Sequence, residues 1–293
     1  MYKENSLETL CGLFGRSRQA YYKHKRQEIG DKEMQEKVLS IVYYYRSLMP
    51  IVSCKKLYDI VRDIMGSKLS FGRDRFMALM HLHHLVIPPR KPRHTTNSNH
   101  LYFKYPNRIK SVRVEHVNQV WVSDITYIHL VNRDCCYLHL VTDYYSRAII
   151  GYVVSPTLEA KYTMQALDQA ITNAGGGNLC GTIHHSDRGI QYASDAYVTM
   201  LKKHNIRVSM CEDYNPTDNG LAERVNGILK TEWIYELPIM QNIHDAKGQI
   251  DDIIDIYNNV RPHLSLNKMT PMSIYLGDPQ ITPAARWFDN FDN

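Results

Sequence analysis

The sequence predicts an α/β protein, a mixed five-stranded sheet with flanking helices that is preceded by an all-α region. Residues 119–155 contain three strand-like runs separated by short polar breaks, which is typical of antiparallel strands. From residue 157 onward helical and strand-like segments alternate, which favours a sheet with helices on both faces. Before residue 89, the apolar residues recur instead at helical spacing.

The first helical unit is predicted to span residues 1–30. Gly15 breaks a helical pattern and Ser17 is placed to cap a second helix that carries Arg18, a predicted DNA contact. Helix, glycine turn and helix follow each other as in a helix-turn-helix. A plain amphipathic pair of helices explains the same pattern equally well.

The second helical unit is predicted to span residues 31–88, interrupted at Pro50. Its last helix is predicted to open with a capping Ser70, which places Arg73 and Arg75 near the helix start, where a recognition helix would meet DNA. The apolar stripe of this helix is predicted to consist of Phe76, Leu79, Leu82 and Val86.

Charge divides the chain into two unlike halves. Residues 1–118 contain 22 Lys and Arg against 10 Asp and Glu, a net charge of +12, whereas residues 119–293 contain 13 against 20, a net charge of −7. The basic half suits a polyanion, and the acidic half could hold cations. No apolar run approaches the roughly 18–20 residues of a membrane span, so we expect a soluble, cytoplasmic protein with no membrane partner.

Residues 89–118 are predicted to form a basic linker. Between residues 90 and 113 there are seven Lys and Arg and no acid, with aromatic residues interleaved. This mixture suits a phosphate backbone and its bases, although a tether that is basic for solubility is a serious alternative. The linker residues predicted to contact DNA are Arg90, Lys91, Arg93, Lys104, Arg108 and Lys110.

The second half is predicted to contain five strands and four helices in a definite order. Strands are expected at 119–130, 134–145, 147–154, 180–186 and 206–210, and helices at 157–174, 194–205, 217–236 and 242–260. Glycines 175–177 end the first of these helices.

Three carboxylates stand out in this half. Asp124 lies in a strand whose two faces are both largely apolar, so it must be paired or belong to a site. Asp187 follows the fourth predicted strand and would approach Asp124 if that strand lay beside the first. Two close carboxylates repel each other unless a proton or a metal lies between them.

The third carboxylate, Glu223, lies on a polar helix face. Asn219, Glu223, Asn226 and Lys230 are separated by four, three and four residues and therefore share that face. For any one of these acids alone, a solvated or capping carboxylate is the simpler interpretation, least so for Asp124.

The three acids and four sequence motifs together resemble the DDE transposase and retroviral integrase superfamily. Sixty-two residues separate Asp124 from Asp187, and 35 separate Asp187 from Glu223. The motifs "WVSDITYI", "HHSDRGIQY", "DNGLAERVNGILKTE" and "YNNVRPHLSLNKMTP" are similar to those of the longer reading frame of insertion-sequence-3-type transposases. "LFGRSRQAYY" and "PNRIKS" in the front half match the same family more loosely.

This resemblance implies a ribonuclease-H-like integrase catalytic core, expected at residues 119–277, and two Mg²⁺ ions for which Mn²⁺ can substitute. Oxygen ligands suit these hard ions rather than Zn²⁺. Asp124 would bridge both ions, Asp187 would complete one site and Glu223 the other, so that the ions clamp the attacking and leaving oxygens of a phosphoryl transfer.

The implied activity is cleavage of insertion-sequence ends and their strand transfer into target DNA. Lys230 matches a family lysine that contacts DNA, and Asn219 and Asn226 are predicted to contact DNA with it; Arg261 and His263 match a motif of undefined role. A dimer or larger homo-oligomer on DNA is expected because two ends must be brought together. An upstream-frame product or fusion is a further expected partner.

Two other functions remain open at the level of sequence. One is a ribonuclease-H-like nuclease, against which the basic front half argues, and the other is a DNA-binding regulator with an inactive core, against which the presence of all three acids argues. Residues 278–293 are predicted to form a C-terminal tail.

Overall fold

The computed structural model describes residues 7–87, 104–131, 134–212 and 216–277. The chain divides into two compact units, one formed by residues 1–48 and 52–88 and the other by residues 49–51 and 89–293. Three predicted DNA contacts, Arg90, Lys91 and Arg93, lie outside the described residues, as does the predicted tail at 278–293.

The first unit is helical, and its elements are α1 (Leu7–Leu13), α2 (Arg18–Leu48), α3 (Cys54–Met65) and α4 (Arg73–Leu82). The Ser17 hydroxyl accepts a hydrogen bond from the Ala20 N–H at 3.1 Å, which confirms the predicted cap of α2. Gly15 has a φ of 62° and turns the chain between α1 and α2.

Helix α2 differs from the prediction because it continues through residue 30, where a boundary between two helical units was expected. Gly30 costs a helix only about 1 kcal/mol relative to alanine, so a single glycine does not end it. The finer division into 1–30 and 31–88 therefore falls inside one continuous helix. The interruption predicted at Pro50 is confirmed, since α2 ends at Leu48 and α3 begins at Cys54.

Two further details of the first unit were predicted wrongly. The N-cap of α4 is Gly72 rather than Ser70, and it makes no side-chain cap hydrogen bond. The helix ends at Leu82, which is 71% exposed, because the chain reaches φ of 54° at His84 and leaves the helix before Val86. Phe76 and Leu79 are buried as expected.

The second unit contains the predicted mixed five-stranded sheet. Its strands are β1 (Val120–His129), β2 (Cys135–Asp143), β3 (Ile149–Ser155), β4 (Ile183–Ser186) and β5 (Arg207–Met210). The spatial order is β3-β2-β1-β4-β5, with antiparallel pairs within β1, β2 and β3 and parallel pairs joining β1 to β4 and β4 to β5. This is the ribonuclease-H-like arrangement, in which β1 is the central strand.

Helices cover both faces of this sheet, as predicted. They are α5 (Ala160–Asn173), α6 (Ile190–Ala193), α7 (Asp195–Lys203), α8 (Gly220–Leu229), α9 (Ile243–Asn259) and α10 (Pro271–Tyr275). Helices α5 and α7 pack with Trp121 on one face, whereas Ala222 of α8 packs with Val120 and Val122 on the other face. The first part of β1, residues 120–123, is therefore buried on both sides, which explains the apolar residues on both of its faces.

The described part of the basic linker, from residue 104 onward, packs on the sheet. Tyr105 contacts the core on the Trp121 side, whereas Ile109, Val112 and Val114 contact the Val120 side. The basic residues between them are exposed, namely Lys104, Arg108, Lys110 and Arg113. The segment thus presents a charged ridge while its apolar residues hold it to the core.

Among the residues that the structure describes, none of the helices is both long and apolar enough to span a membrane.

Candidate active site

The two aspartates meet because β1 and β4 are neighbouring parallel strands. Their ladder pairs Val120 with Ile183 and ends where Ser123 pairs with Ser186. Asp124 is the next residue of β1 and Asp187 directly follows β4, so both aspartates lie at the same level of the sheet. The sequence predicted this approach on the condition that the fourth strand lay beside the first, and that condition is met.

Asp187 is held in a tight turn directly after β4. Its Oδ1 accepts a hydrogen bond from the Gly189 N–H at 2.9 Å. A Cβ atom at residue 189 would lie 2.9 Å from that same oxygen. The glycine therefore allows the backbone to approach the carboxylate closely, which explains why an acidic turn follows this apolar strand.

Asp124 is the most perturbed of the three acids. Its Oδ1 accepts from the Ile125 N–H at 2.8 Å and its Oδ2 from Nδ2 of Asn226 at 2.7 Å. The pKa of Asp124 is raised to about 7, chiefly by burial, then by the negative charge of Asp187 and to a smaller extent by Glu223, against the lowering effect of the two hydrogen bonds. The site therefore disfavours an ionised Asp124 unless a cation is present.

Glu223 lies in the first turn of α8, and two amides fix that helix to β1. Nδ2 of Asn219 donates to the Ser123 carbonyl at 3.1 Å, and Asn226 donates to Asp124. Both asparagines were predicted to contact DNA, but their side chains are buried, so a contact by either would require rearrangement. The Glu223 side chain is exposed, and packing does not fix its rotamer.

Lys230 follows α8 directly and is half-buried. Burial lowers the pKa of its ammonium group, and the negative charge of Asp124 acts in the opposite direction. Because Lys230 is four residues beyond Asn226, it extends the same helix face toward the site.

Two adjacent histidines precede Asp187 and are buried on opposite faces of β4. His184 contacts the hydroxyls of Ser123 at 2.8 Å and Tyr197 at 2.9 Å, and burial lowers its pKa to about 3. His185 contacts the Ser209 hydroxyl at 2.8 Å, and burial lowers its pKa to about 4. Both imidazoles are buried because β4 is covered on both faces.

The donor set fits a hard divalent cation. The two aspartates and Glu223 offer carboxylate oxygen, the donor that Mg²⁺ and Mn²⁺ prefer. Burial and the surrounding acids raise the pKa of the nearby Cys211 thiol to about 12. Within the described ranges, no three His, Cys, Asp or Glu side chains are gathered closely enough to hold an ion. In this arrangement the exposed Glu223 side chain does not complete a ligand set with the two aspartates.

The predicted DNA contacts outside this centre have different surroundings. Arg108 donates through Nε to the Val208 carbonyl at 3.1 Å, and Lys110 pairs with Glu212 at 2.5 Å, so both engage the β5 side of the core. Lys104 is exposed on the same ridge.

In the helical unit, the three predicted arginines are exposed. Arg75 pairs with Asp31 at 2.7 Å, and Arg73 lies 3.7 Å from Asp74. Arg18 stacks over the Tyr22 ring at 5.9 Å. These arginines belong to a different compact unit from the acids.

The comparisons with known proteins decide the family. The model of the integrase core domain matches residues 114–216, and a second model with the same description matches residues 204–271. The IS600 31 kDa protein of Shigella sonnei is 30% identical over 268 residues, which cover 89% of this chain and 96% of that protein. The chain belongs to the insertion-sequence-3 type of DDE transposases. It is therefore a DNA transposase, a polynucleotidyl transferase, and its integrase core depends on divalent metal ions.

Other relatives match this transposase over shorter stretches. InsK of IS150 from Escherichia coli K12 is 34% identical over 53% of each chain, and InsF of IS3fB from the same organism is 38% identical over 40% of each. Among solved structures, the integrase catalytic core of HTLV-2 in complex with magnesium is 21% identical with a TM-score of 0.43, covering 56% of this chain and 99% of that one.

Sequence reasoning did not predict the hydrogen bonds that Asn219 and Asn226 donate to β1. Their shared face with Glu223 was recognised, and the contacts with DNA predicted for them stay a prediction. The available signal was that two amides share a helix face with Glu223 while Asp124 lies in an apolar strand. A carboxylate in such a strand needs hydrogen-bond donors.

Proposed function

We propose that this transposase cleaves the ends of its insertion sequence and joins the freed 3′ ends to target DNA at one site, formed by Asp124, Asp187 and Glu223. The observation that carries the proposal is the parallel register of β1 and β4, which brings two carboxylates to one level. Asn226 adds to it by tying the helix of Glu223 to Asp124.

In this site the three carboxylates would hold two Mg²⁺ ions, for which Mn²⁺ can substitute. When bound, such ions activate the attacking oxygen and stabilise the leaving oxygen. The chain's own contribution is positional: Ile125 and Asn226 orient Asp124, Gly189 orients Asp187, and Lys230 offers a cation beside them to a DNA phosphate.

The reaction has two phosphoryl transfers. A water oxygen first forms a bond to the phosphorus at the element end, and the P–O3′ bond breaks to leave a 3′-hydroxyl and a 5′-phosphate. That 3′-hydroxyl then forms a new ester bond to a target phosphorus while the target's own P–O3′ bond breaks. Each step exchanges one ester bond for another bond at phosphorus, so no oxidant or external energy source is needed.

DNA would approach along the basic surfaces of both units. The ridge of Lys104, Arg108 and Lys110 adjoins the core, and Arg90, Lys91, Arg93, Arg18, Arg73 and Arg75 supply further phosphate contacts. At least two copies would act together, since two ends must be joined, and an upstream-frame product or fusion would assist in reading the ends. Such a protein would work in the cytoplasm, at the nucleoid.

Replacing Glu223 by Gln tests the proposal. The substitution removes one anionic ligand while preserving size, so we expect end cleavage and joining to fall at least about 100-fold, with DNA binding within about twofold of wild type. Joining is measured with a labelled, pre-cut 3′-hydroxyl end in Mg²⁺, and binding by fluorescence anisotropy.

The matched control is Asp252→Asn, which removes an exposed carboxylate from α9 and should leave joining unchanged. Joining by Glu223→Gln at the wild-type rate would contradict the catalytic assignment. Hydrolysis of an RNA–DNA hybrid without any joining by the wild-type protein would indicate a nuclease. DNA binding with no chemistry at all would indicate a regulator.

A further inference from the structure

A buried ion pair connects the segment after α8 to the C-terminal end of α9. Nε and Nη2 of Arg261 donate to the two carboxylate oxygens of Glu232 at 2.7 and 2.6 Å. The side chains are only 5% and 15% exposed. Nη1 of Arg261 lies 3.0 Å from Nε2 of His263; because a guanidinium only donates, this ring nitrogen accepts and the ring proton lies on Nδ1.

Glu232 belongs to an irregular helical segment, the π-turn Lys230–Ile234. The Tyr235 N–H donates to the Lys230 carbonyl at 2.9 Å, five residues back rather than four. Such turns are rare and occur often at functional sites. This π-turn starts at Lys230, so it determines where the regular helix of Glu223 stops.

Lys230 connects the π-turn to the acids. It is one helical turn beyond Asn226, whose amide donates to Asp124 at 2.7 Å, and it is half-buried on that side. A change in the path of the chain between residues 230 and 234 would therefore displace the ammonium group relative to Asp124.

The ion pair is not needed to fasten α9 to the sheet. The Asn258 side chain already exchanges two hydrogen bonds with the backbone of Ile149, both at 2.9 Å, and the Tyr257 hydroxyl donates to the Arg147 carbonyl at 3.1 Å. A buried ion pair gives little net stability compared with apolar packing of the same volume. The ion pair instead fixes the segment of Glu232, which is the π-turn.

We propose that Arg261, with Glu232 and His263, is a positioning residue that holds the π-turn so that the Lys230 ammonium lies beside the carboxylates, where it meets a phosphate of the DNA end. The inference assigns a role to the "VRPH" segment and rests on the proposed function of the site. Arg261 touches neither DNA nor the acids and acts through Lys230.

A double-mutant cycle tests this role in the full chain. Arg261→Lys keeps the charge but loses the two-pronged contact with Glu232. We expect single-turnover joining of a pre-cut end to slow about tenfold, because small displacements of a positioned group cost that much or more, while the affinity for end DNA changes less than about twofold. In a Lys230→Ala background, Arg261→Lys should slow joining by less than about twofold further, since both changes remove the same interaction.

Tyr257→Phe is the matched control. It loses the hydrogen bond to Arg147 and lowers the melting temperature, yet it retains the ring beside His263 and the ion pair. We expect the joining rate of the folded protein to match wild type. Should Arg261→Lys fail to fold, Glu232→Gln takes its place, because it keeps the side-chain shape and one hydrogen-bond acceptor.

Two outcomes would overturn the inference while leaving the proposed function intact. One is that the effects of Arg261→Lys and Lys230→Ala multiply independently, and the other is that Tyr257→Phe slows joining as much as Arg261→Lys does. A wild-type protein that does not join DNA would instead overturn the proposed function and this inference with it.

Discussion

At the scale of single residues, the surroundings of Asp124 disfavour the ionised form of its carboxyl group. Its pKa in the folded protein is about 7, compared with 3.8 for an ordinary aspartate, because of burial first and Asp187 second. The folded state therefore binds more protons than the unfolded state between about pH 4 and pH 7. By linkage, the free energy of unfolding falls as pH rises through this window and stays lowered above it.

Asp124→Asn should remove this unfavourable negative charge in the absence of metal. We expect the variant to be more stable than wild type by about 1–3 kcal/mol at pH 8, with the difference disappearing near pH 4, where the wild-type carboxyl is protonated. Urea unfolding in EDTA at both pH values measures the difference. A stability difference independent of pH would show that ionisation of Asp124 is not its origin.

At the scale of elements, the backbones of β3 and α5 lie in close contact. A Cβ atom on Gly151 would lie 2.1 Å from the Ala166 carbonyl oxygen and 2.9 Å from the Ala170 nitrogen. Helix α5 therefore packs directly on the glycine, and Ala166 and Ala170 are both buried there. The small residues at these positions set the distance between the helix and the sheet.

Gly151→Ala should separate these two elements. We expect a loss of about 2–4 kcal/mol in the free energy of unfolding, because backbone atoms cannot move aside as a flexible side chain can. Gly248→Ala is the control: this exposed glycine within α9 has open space around its Cβ position, and its replacement should stabilise by about 0.5–1 kcal/mol. Equal effects of the two substitutions in chemical denaturation would contradict the packing described here.

Sequence periodicity predicted most of the elements but not their irregularities. The three antiparallel strands and the glycine stop after α5 follow from local patterns, since these depend on neighbouring residues alone. The π-turn at Lys230–Ile234 does not, because it depends on a contact between Glu232 and Arg261, which are 29 residues apart. For the same reason Asn226 could be placed on the correct face without revealing that it binds Asp124.

At the scale of the whole molecule, the fold brings two distant aspartates together through strand pairing. Glu223 lies exposed on a helix that Asn219 and Asn226 fix to the central strand. In the proposed function, the basic front half would contact phosphates and the acidic back half would bind cations, which accounts for the opposite net charges of the two halves.

The most direct test of this account is the number of Mn²⁺ ions that the full chain binds, determined from the EPR signal of free Mn²⁺ in the presence of end DNA. We expect wild type and Asp252→Asn to bind two ions per site, and Asp124→Asn and Asp187→Asn each to lose at least one of them. If the Asp124 and Asp187 variants bound as many ions as wild type, with the same affinity, the acids would not form one metal site and the account would be contradicted.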